Sequence, residues 1–299
     1  MKKQTLLTLL IVFVVLILVS VLFFWFDFRT TKDEKIETPF NFAEVQTELV
    51  DKIEFKSAGN QVVLEKNDSK WKADNNLASN SEVSELLNNL VSIKIGKIVS
   101  SNPANHGRFL ITNELAAKVT LRIGDINAGE YLIGKSAQGV GEFFIRKPNS
   151  DDVYEAKGAL GIKARYPIDE WREKNIFSLN INEVKEMSFN IHNKKNDLEK
   201  LDGSWKTKTG YTSADFANEK MSQLIEVFSP LRARGFLTEQ QIEEFVDLKI
   251  SQKSNITIGD FEAELYDRDE LMWWLKVKGR DDYFILPEGV VEKIQKLLN

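Results

Sequence analysis

One stretch of this chain occurs twice. Leu64-Glu65-Lys66-Asn67-Asp68-Ser69-Lys70-Trp71-Lys72 returns as Leu198-Glu199-Lys200-Leu201-Asp202-Gly203-Ser204-Trp205-Lys206, 134 positions on and without a gap. The match continues upstream, where Val50, Ile53 and Phe55 fall on Val184, Met187 and Phe189. Downstream, Leu87, Leu90 and Val91 fall on Met221, Leu224 and Ile225. Ile123-Gly124-Asp125 then meets Ile258-Gly259-Asp260 at an offset of 135, and Phe143-Phe144-Ile145-Arg146 meets Trp273-Trp274-Leu275-Lys276 at 130. A unit of about 110 to 130 residues is far longer than a solenoid repeat, so each copy must be a domain-sized body with its own core.

Both copies carry the same pattern. Residues 50–57 read as a strand, followed by a hairpin of residues 62–66 and 71–73 across Asn67-Asp68-Ser69. In the second copy that turn is Asp202-Gly203, a stronger hairpin signal. Val83, Leu86, Leu87, Leu90 and Val91 lie at helical spacing, with Asn80 or Ser81 as the expected cap. The counterpart helix holds Ala217, Met221, Leu224, Ile225 and Phe228, with Ser213 near its start. Alternating residues Val119, Leu121 and Ile123 begin a strand series that continues through 130–133, 142–146 and 153–156. Val290, Val291, Ile294, Leu297 and Leu298 mark an amphipathic closing helix. Strands and helices mix without βαβ alternation, so the expected class is α+β, with two tandem units of mostly antiparallel sheet plus helix.

The N-terminus reads differently. From Leu6 to Phe26 only Thr8 and Ser20 interrupt 21 apolar residues, roughly 30 Å of helix at 1.5 Å per residue. No small-residue cleavage site follows, and Phe23-Phe24-Trp25-Phe26 resembles an interfacial belt. Lys2 and Lys3 precede the run. The expectation is a signal anchor bounded by Leu6 and Phe26, a single pass through a bacterial inner membrane, with a cytoplasmic tip and the bulk of the chain outside. The expected division is 1–29 for tip and anchor, 30–44 for a polar linker, 45–165 for the first copy, 166–183 for a connector and 184–299 for the second copy.

Composition narrows the chemistry. There is no cysteine, which excludes disulfides, thiolate metal sites and a thiol nucleophile. Two histidines, His106 and His192, cannot build a multi-histidine centre. With 40 Lys+Arg against 45 Asp+Glu, no basic footprint for nucleic acid exists. Beyond the run at the N-terminus 38 basic residues face the same 45 acids, a charge of −7.

Four features invite a sharper reading. Gly129-Glu130-Tyr131-Leu132-Ile133-Gly134-Lys135-Ser136 satisfies G-x-x-x-x-G-K-S by letter, but its middle residues are strand-like and Ala137-Gln138-Gly139-Val140-Gly141 cannot open a helix. A strand and Gly-rich hairpin is expected there, with no nucleotide. Each histidine stands alone and reads as structural. Asp151-Asp152 and Asp281-Asp282 are paired carboxylates that read as turn formers between apolar strands. The doublets Phe143-Phe144 and Trp273-Trp274 send one ring to each face of a strand. One ring of each faces a core, and the other is either covered or exposed to a partner. With Trp171, these four are the candidate partner contacts.

Residues 166–182 join the copies and contain Asp169-Glu170-Trp171-Arg172-Glu173-Lys174-Asn175-Ile176-Phe177. With the L-E-K-x-D-x-x-W-K repeat, Ala214-Asp215 and Tyr131-Leu132-Ile133-Gly134, this order and spacing resembles the bacterial domain-of-unknown-function family 4340 across roughly residues 45 to 290. The resemblance implies an association with ABC-2-type and gliding-motility-like transport systems, and it carries no catalytic residues. The expected function is therefore a non-enzymatic, membrane-anchored accessory or scaffold subunit of an envelope complex, partnered with an ABC-2-type transporter and using no cofactor or metal. The alternative is a module binding an envelope polymer, glycan or peptidoglycan, by stacking on Trp171, Trp273 or Trp274. A hydrolase built on a carboxylate pair ranks third.

Overall fold

A computed structural model describes residues 13–21, 38–178, 180, 182–191, 194–209, 223, 225–247, 252–268 and 272–298. Residues 13–21 form a helix whose side chains are all exposed. Nine residues cover about 14 Å, less than half a bilayer core. Among the described residues no helix is long and apolar enough to cross a membrane. The expected single-pass signal anchor is thereby overturned, and with it the inner-membrane placement and the outward orientation drawn from it. Its expected ends, Leu6 and Phe26, lie outside the described residues.

The first copy is a nine-stranded antiparallel sheet. Its strands are β1 (Lys52–Ser57), β2 (Asn60–Asn67), β3 (Lys70–Ala73), β4 (Asn76–Leu77), β5 (Lys94–Ser100), β6 (Ala117–Ile123), β7 (Ile126–Ser136), β8 (Glu142–Arg146) and β9 (Val153–Lys157), in the spatial order β4-β3-β2-β1-β6-β7-β8-β9-β5. Alternation fixes the register. Ile53 and Phe55 on β1 oppose Leu64 and Val62 on β2 and Leu121 and Val119 on β6, all facing one core. A one-residue slip would send this set to solvent.

Across that face lies the helix Asn80–Leu90, burying Val83, Leu86, Leu87 and Leu90. Its cap is Ser79, one residue earlier than expected, with Oγ accepting from Glu82 N at 3.3 Å. Asn80 serves another purpose, its Oδ1 accepting from the backbone of Trp71 at 3.0 Å. Val91 falls beyond the helix end and is exposed. The expected linker also ends inside this copy, because Phe40 and Phe42 are buried against Tyr131 and Tyr154.

The second copy repeats the topology. A short β10 (Asn175–Phe177) pairs with β14 (Leu231–Arg232) as a separate ribbon. Then β11 (Glu186–Ile191), β12 (Lys194–Leu201), β13 (Ser204–Thr209), β15 (Gly235–Phe236), β16 (Gln252–Ile258), β17 (Phe261–Asp267), β18 (Trp273–Val277) and β19 (Tyr283–Ile285) form a sheet in the order β13-β12-β11-β16-β17-β18-β19-β15. Position by position this is the first sheet without β4. Asp202 and Gly203 both have positive φ at the β12–β13 turn, the conformation a two-residue hairpin loop favours. Ser213, Ala217, Met221 and Leu224 of the expected helix lie outside the described residues, while Ile225 and Phe228 are buried in the second core. The closing helix Glu288–Leu298 buries Val291 and Ile294; its counterpart in the first copy is one turn, Leu160–Lys163.

Each sheet is also partly covered on its opposite face. The 3-10 helix Pro103–Phe109 lies over a small apolar cluster of Ile111, Leu132, Phe144 and Val153. In the second copy the helical turn Glu239–Ile242, continuing as Glu243–Asp247, leads to the equivalent cluster of Leu237, Phe245, Tyr266 and Trp274.

Candidate functional site

All five candidate partner contacts are core residues. Phe143 and Trp273 enter the main cores, while Phe144 and Trp274 enter the smaller clusters on the opposite faces. Trp171 is fully buried, its ring stacked on Phe55 with centroids 5.1 Å apart. The surface-contact expectation for Phe143, Phe144, Trp171, Trp273 and Trp274 is therefore corrected. Both faces of β8 and β18 are roofed, so adjacent large rings are needed on each.

The G-x-x-x-x-G-K-S match is the last eight of the eleven residues of strand β7. Its glycines answer packing: a Cβ on Gly129 would run into the Tyr131 hydroxyl, and one on Gly134 would lie 2.5 Å from the Phe109 carbonyl oxygen. His106 is buried, with Nε2 3.0 Å from the Asp151 carbonyl oxygen. His192 lies outside the described residues. In the first copy, Arg146 holds the loop after β8, donating from Nη1 to Ser150 O at 2.7 Å and from Nη2 to Ile111 O at 3.2 Å. Lys276, its counterpart, donates to Asp281 O at 2.6 Å.

The acidic doublets do sit in the loops between β8 and β9 and between β18 and β19. Asp282 does more than turn the chain. Its buried carboxylate accepts from Arg172 at 2.5 Å and from Arg280 at 3.3 Å. Sequence reasoning missed this because Arg172 lies 110 residues away.

The accessible polar surface of each copy is the uncovered part of the sheet face opposite the main core. A cleft of about 680 Å³ opens there in the second copy, lined by Asn255, Glu262, Glu264, Lys276, Lys278 and Asp281. The first copy has a cleft of about 480 Å³ that shares the corresponding glutamate, Glu130, but extends over β1 and the start of β6, lined by Lys56, Lys118, Glu130, Leu132 and Asn149. A smaller hollow of about 240 Å³ adjoins the larger cleft through Thr257 and includes Ser188, Asp197 and Lys208. One charged pair recurs. Lys118–Glu130 bridges β6 and β7, and Lys253–Glu264 bridges β16 and β17 at offsets of 135 and 134. That repetition was legible in the sequence and went unread.

Charges in the second cleft are matched internally. Lys278 reaches both oxygens of Glu262 at 2.9 and 2.8 Å. Tyr266 donates to Glu264 at 2.6 Å. Burial would raise the Glu264 carboxyl, but Lys253 and the Tyr266 hydroxyl outweigh it and hold the group below the ordinary carboxylate range. Burial and the same carboxylate push the Tyr266 hydroxyl up. Such a surface offers exchangeable ion pairs and hydrogen bonds, with Glu262 and Glu264 already engaged as acceptors. Among the described residues no three His, Asp or Glu side chains converge to hold a metal ion.

A family profile described as a domain of unknown function (DUF4340) matches residues 71–249, which is 179 of the 299 residues. The chain belongs to this family. The DUF4340 match starts in β3 of the first copy, crosses the connector and runs into the second copy. The family's matched unit thus contains the junction between copies. No curated protein and no solved structure matches the chain.

Proposed function

We propose that this DUF4340 protein works without catalysis, as an accessory or scaffold subunit that docks a partner protein on the polar sheet faces. The observation carrying this reading is the recurrence of one solvent-facing Lys–Glu pair at the same place in both copies, its glutamate lining a cleft in each. Core positions repeat because packing demands it, whereas a solvent-facing pair is worth only about 0–1 kcal/mol to stability. Its retention beside a cleft in both copies supports a use beyond folding. The family resemblance makes an ABC-2-type transporter the partner to test first. The glycan reading loses its support, since the rings of Trp171, Trp273 and Trp274 offer no stacking surface.

The test places a photo-crosslinking residue in the full chain at Asn255 or Lys56, with Val140 as an exposed control, in cells co-expressing the transporter. Expected are transporter adducts from both clefts and few from Val140. Exchanging Glu262→Lys with Lys278→Glu, which keeps the pair but reverses its direction, should reduce the adduct at Asn255. Adducts no stronger than at Val140, or unaffected by the exchange, would remove the proposal.

A further inference from the structure

The two copies barely pack on each other: among the described residues, the substantial element-to-element packing is all within one copy or the other. For so small an interface relative motion is the default. The connector shows where such motion would occur. On one side, Ser79 N donates to Trp171 O and Glu173 N donates to Leu77 O, both at 2.8 Å, and Ala78 forms a bridge with Arg172. These bonds attach residues 171–173 to the first copy. On the other side, Ala233 N donates to Lys174 O at 2.8 Å, and Asn175 pairs with Arg232. The chain therefore changes hands at the peptide between Glu173 and Lys174.

Three side chains cross that point. Arg172 reaches from the first-copy side to Asp282 at 2.5 Å, and its guanidinium lies 3.7 Å from the ring centroid of Phe236. Arg280 reaches back from the second copy to Glu173 O at 3.0 Å. Asp282 lies between the two guanidinium groups, its side chain 4% exposed. The first copy has Asp152 at the position of Asp282, but Thr38 and Ser150 stand where the arginines would be. The duplicated position has been given its partners only at the junction.

The geometry points to a carboxylate clamp, Asp282 between Arg172 and Arg280, that holds the two copies at one fixed angle and makes them a single cooperative body. Both clefts then face a partner with a set spacing. A buried carboxylate stripped of its charge leaves Arg280 without its anion and Arg172 with Asp169 alone, at 3.0 Å, so the open form should gain roughly tenfold to a hundredfold in population.

The absence of cysteine allows direct measurement. Spin labels at Val140→Cys on the first copy and Leu201→Cys on the second, both exposed, report the inter-copy distance in the full chain. A narrow distribution is expected, broadening in Asp282→Asn and in Arg172→Gln, and unchanged in Asp152→Asn. Narrow distributions in both junction variants would overturn the clamp. So would loss of the second copy's fold in Asp282→Asn with Arg172→Gln still narrow, because the carboxylate would then serve that copy alone.

Discussion

Tyr131 lies beneath Phe40 and Phe42, its ring centroid 4.8 Å from that of Phe42, with the Lys147 ammonium 4.6 Å away on the ring. Burial pushes its hydroxyl up to about 12 and pulls the Lys147 ammonium down. An unfolded chain releases the tyrosine proton near pH 10, whereas the folded chain keeps it to about 12. The stability linked to this group is thus complete below pH 10 and is lost as pH rises through 12, amounting to roughly 2–3 kcal/mol. Urea midpoints measured from pH 9 to 12 should fall, and Tyr131→Phe should flatten part of the fall. The remainder belongs to Tyr154, Tyr266 and Tyr283, which burial also raises, and to Lys52, Lys163 and Lys208, which neighbouring glutamates raise. At this scale the sequence shows type and local role but not distant partners. Asp282 is readable as a turn residue, while its burial depends on Arg172, placed by the chain's return across the junction.

Strands carry the plainest signal, because period-two alternation is local. The inward positions of β1, β2 and β6 can be read directly from Ile53, Phe55, Val62, Leu64, Val119 and Leu121. Strand β7 shows the limit of letters without context. Its glycines make room for Tyr131 and for the 3-10 helix above, so substitutions should separate packing from ligand chemistry. Gly134→Ala drives a Cβ against the Phe109 carbonyl and 3.2 Å from Phe144 Cβ, and should cost about 1–3 kcal/mol. Lys135→Ala, at an exposed position, should stay within about 0.5 kcal/mol. Equal losses in a denaturant titration of the two variants would contradict this account. The aromatic doublets were legible as two-faced, but not the identity of the covers, since Pro103–Phe109 and Glu239–Ile242 carry no long apolar stripe.

Over the whole molecule, the duplication visible at Leu64–Lys72 and Leu198–Lys206 extends to an equivalent strand order, and each copy is led in by a buried apolar residue after an asparagine. Asn41-Phe42 corresponds to Asn175-Ile176 at the same offset of 134. The lead-in was not legible as such, because the charged stretch before Pro39 resembles a linker and its two phenylalanines give no period. Yet it supplies a test of how the copies communicate. Phe42→Ala removes a buried ring from the first core alone, a loss of about 3–5 kcal/mol. If Asp282 clamps the copies into one cooperative body, the second copy cannot stay folded independently, and hydrogen exchange should rise in β16 to β18 as well as in β1 to β7. In the Asp282→Asn background the same Phe42→Ala change should accelerate exchange in the first copy and leave β16 to β18 unaltered. The comparison isolates coupling from stability, because the core lesion is identical in both backgrounds and only the junction differs. Exchange confined to the first copy in the clamped protein would mean that the two cores fold independently, whatever angle Asp282 holds between them.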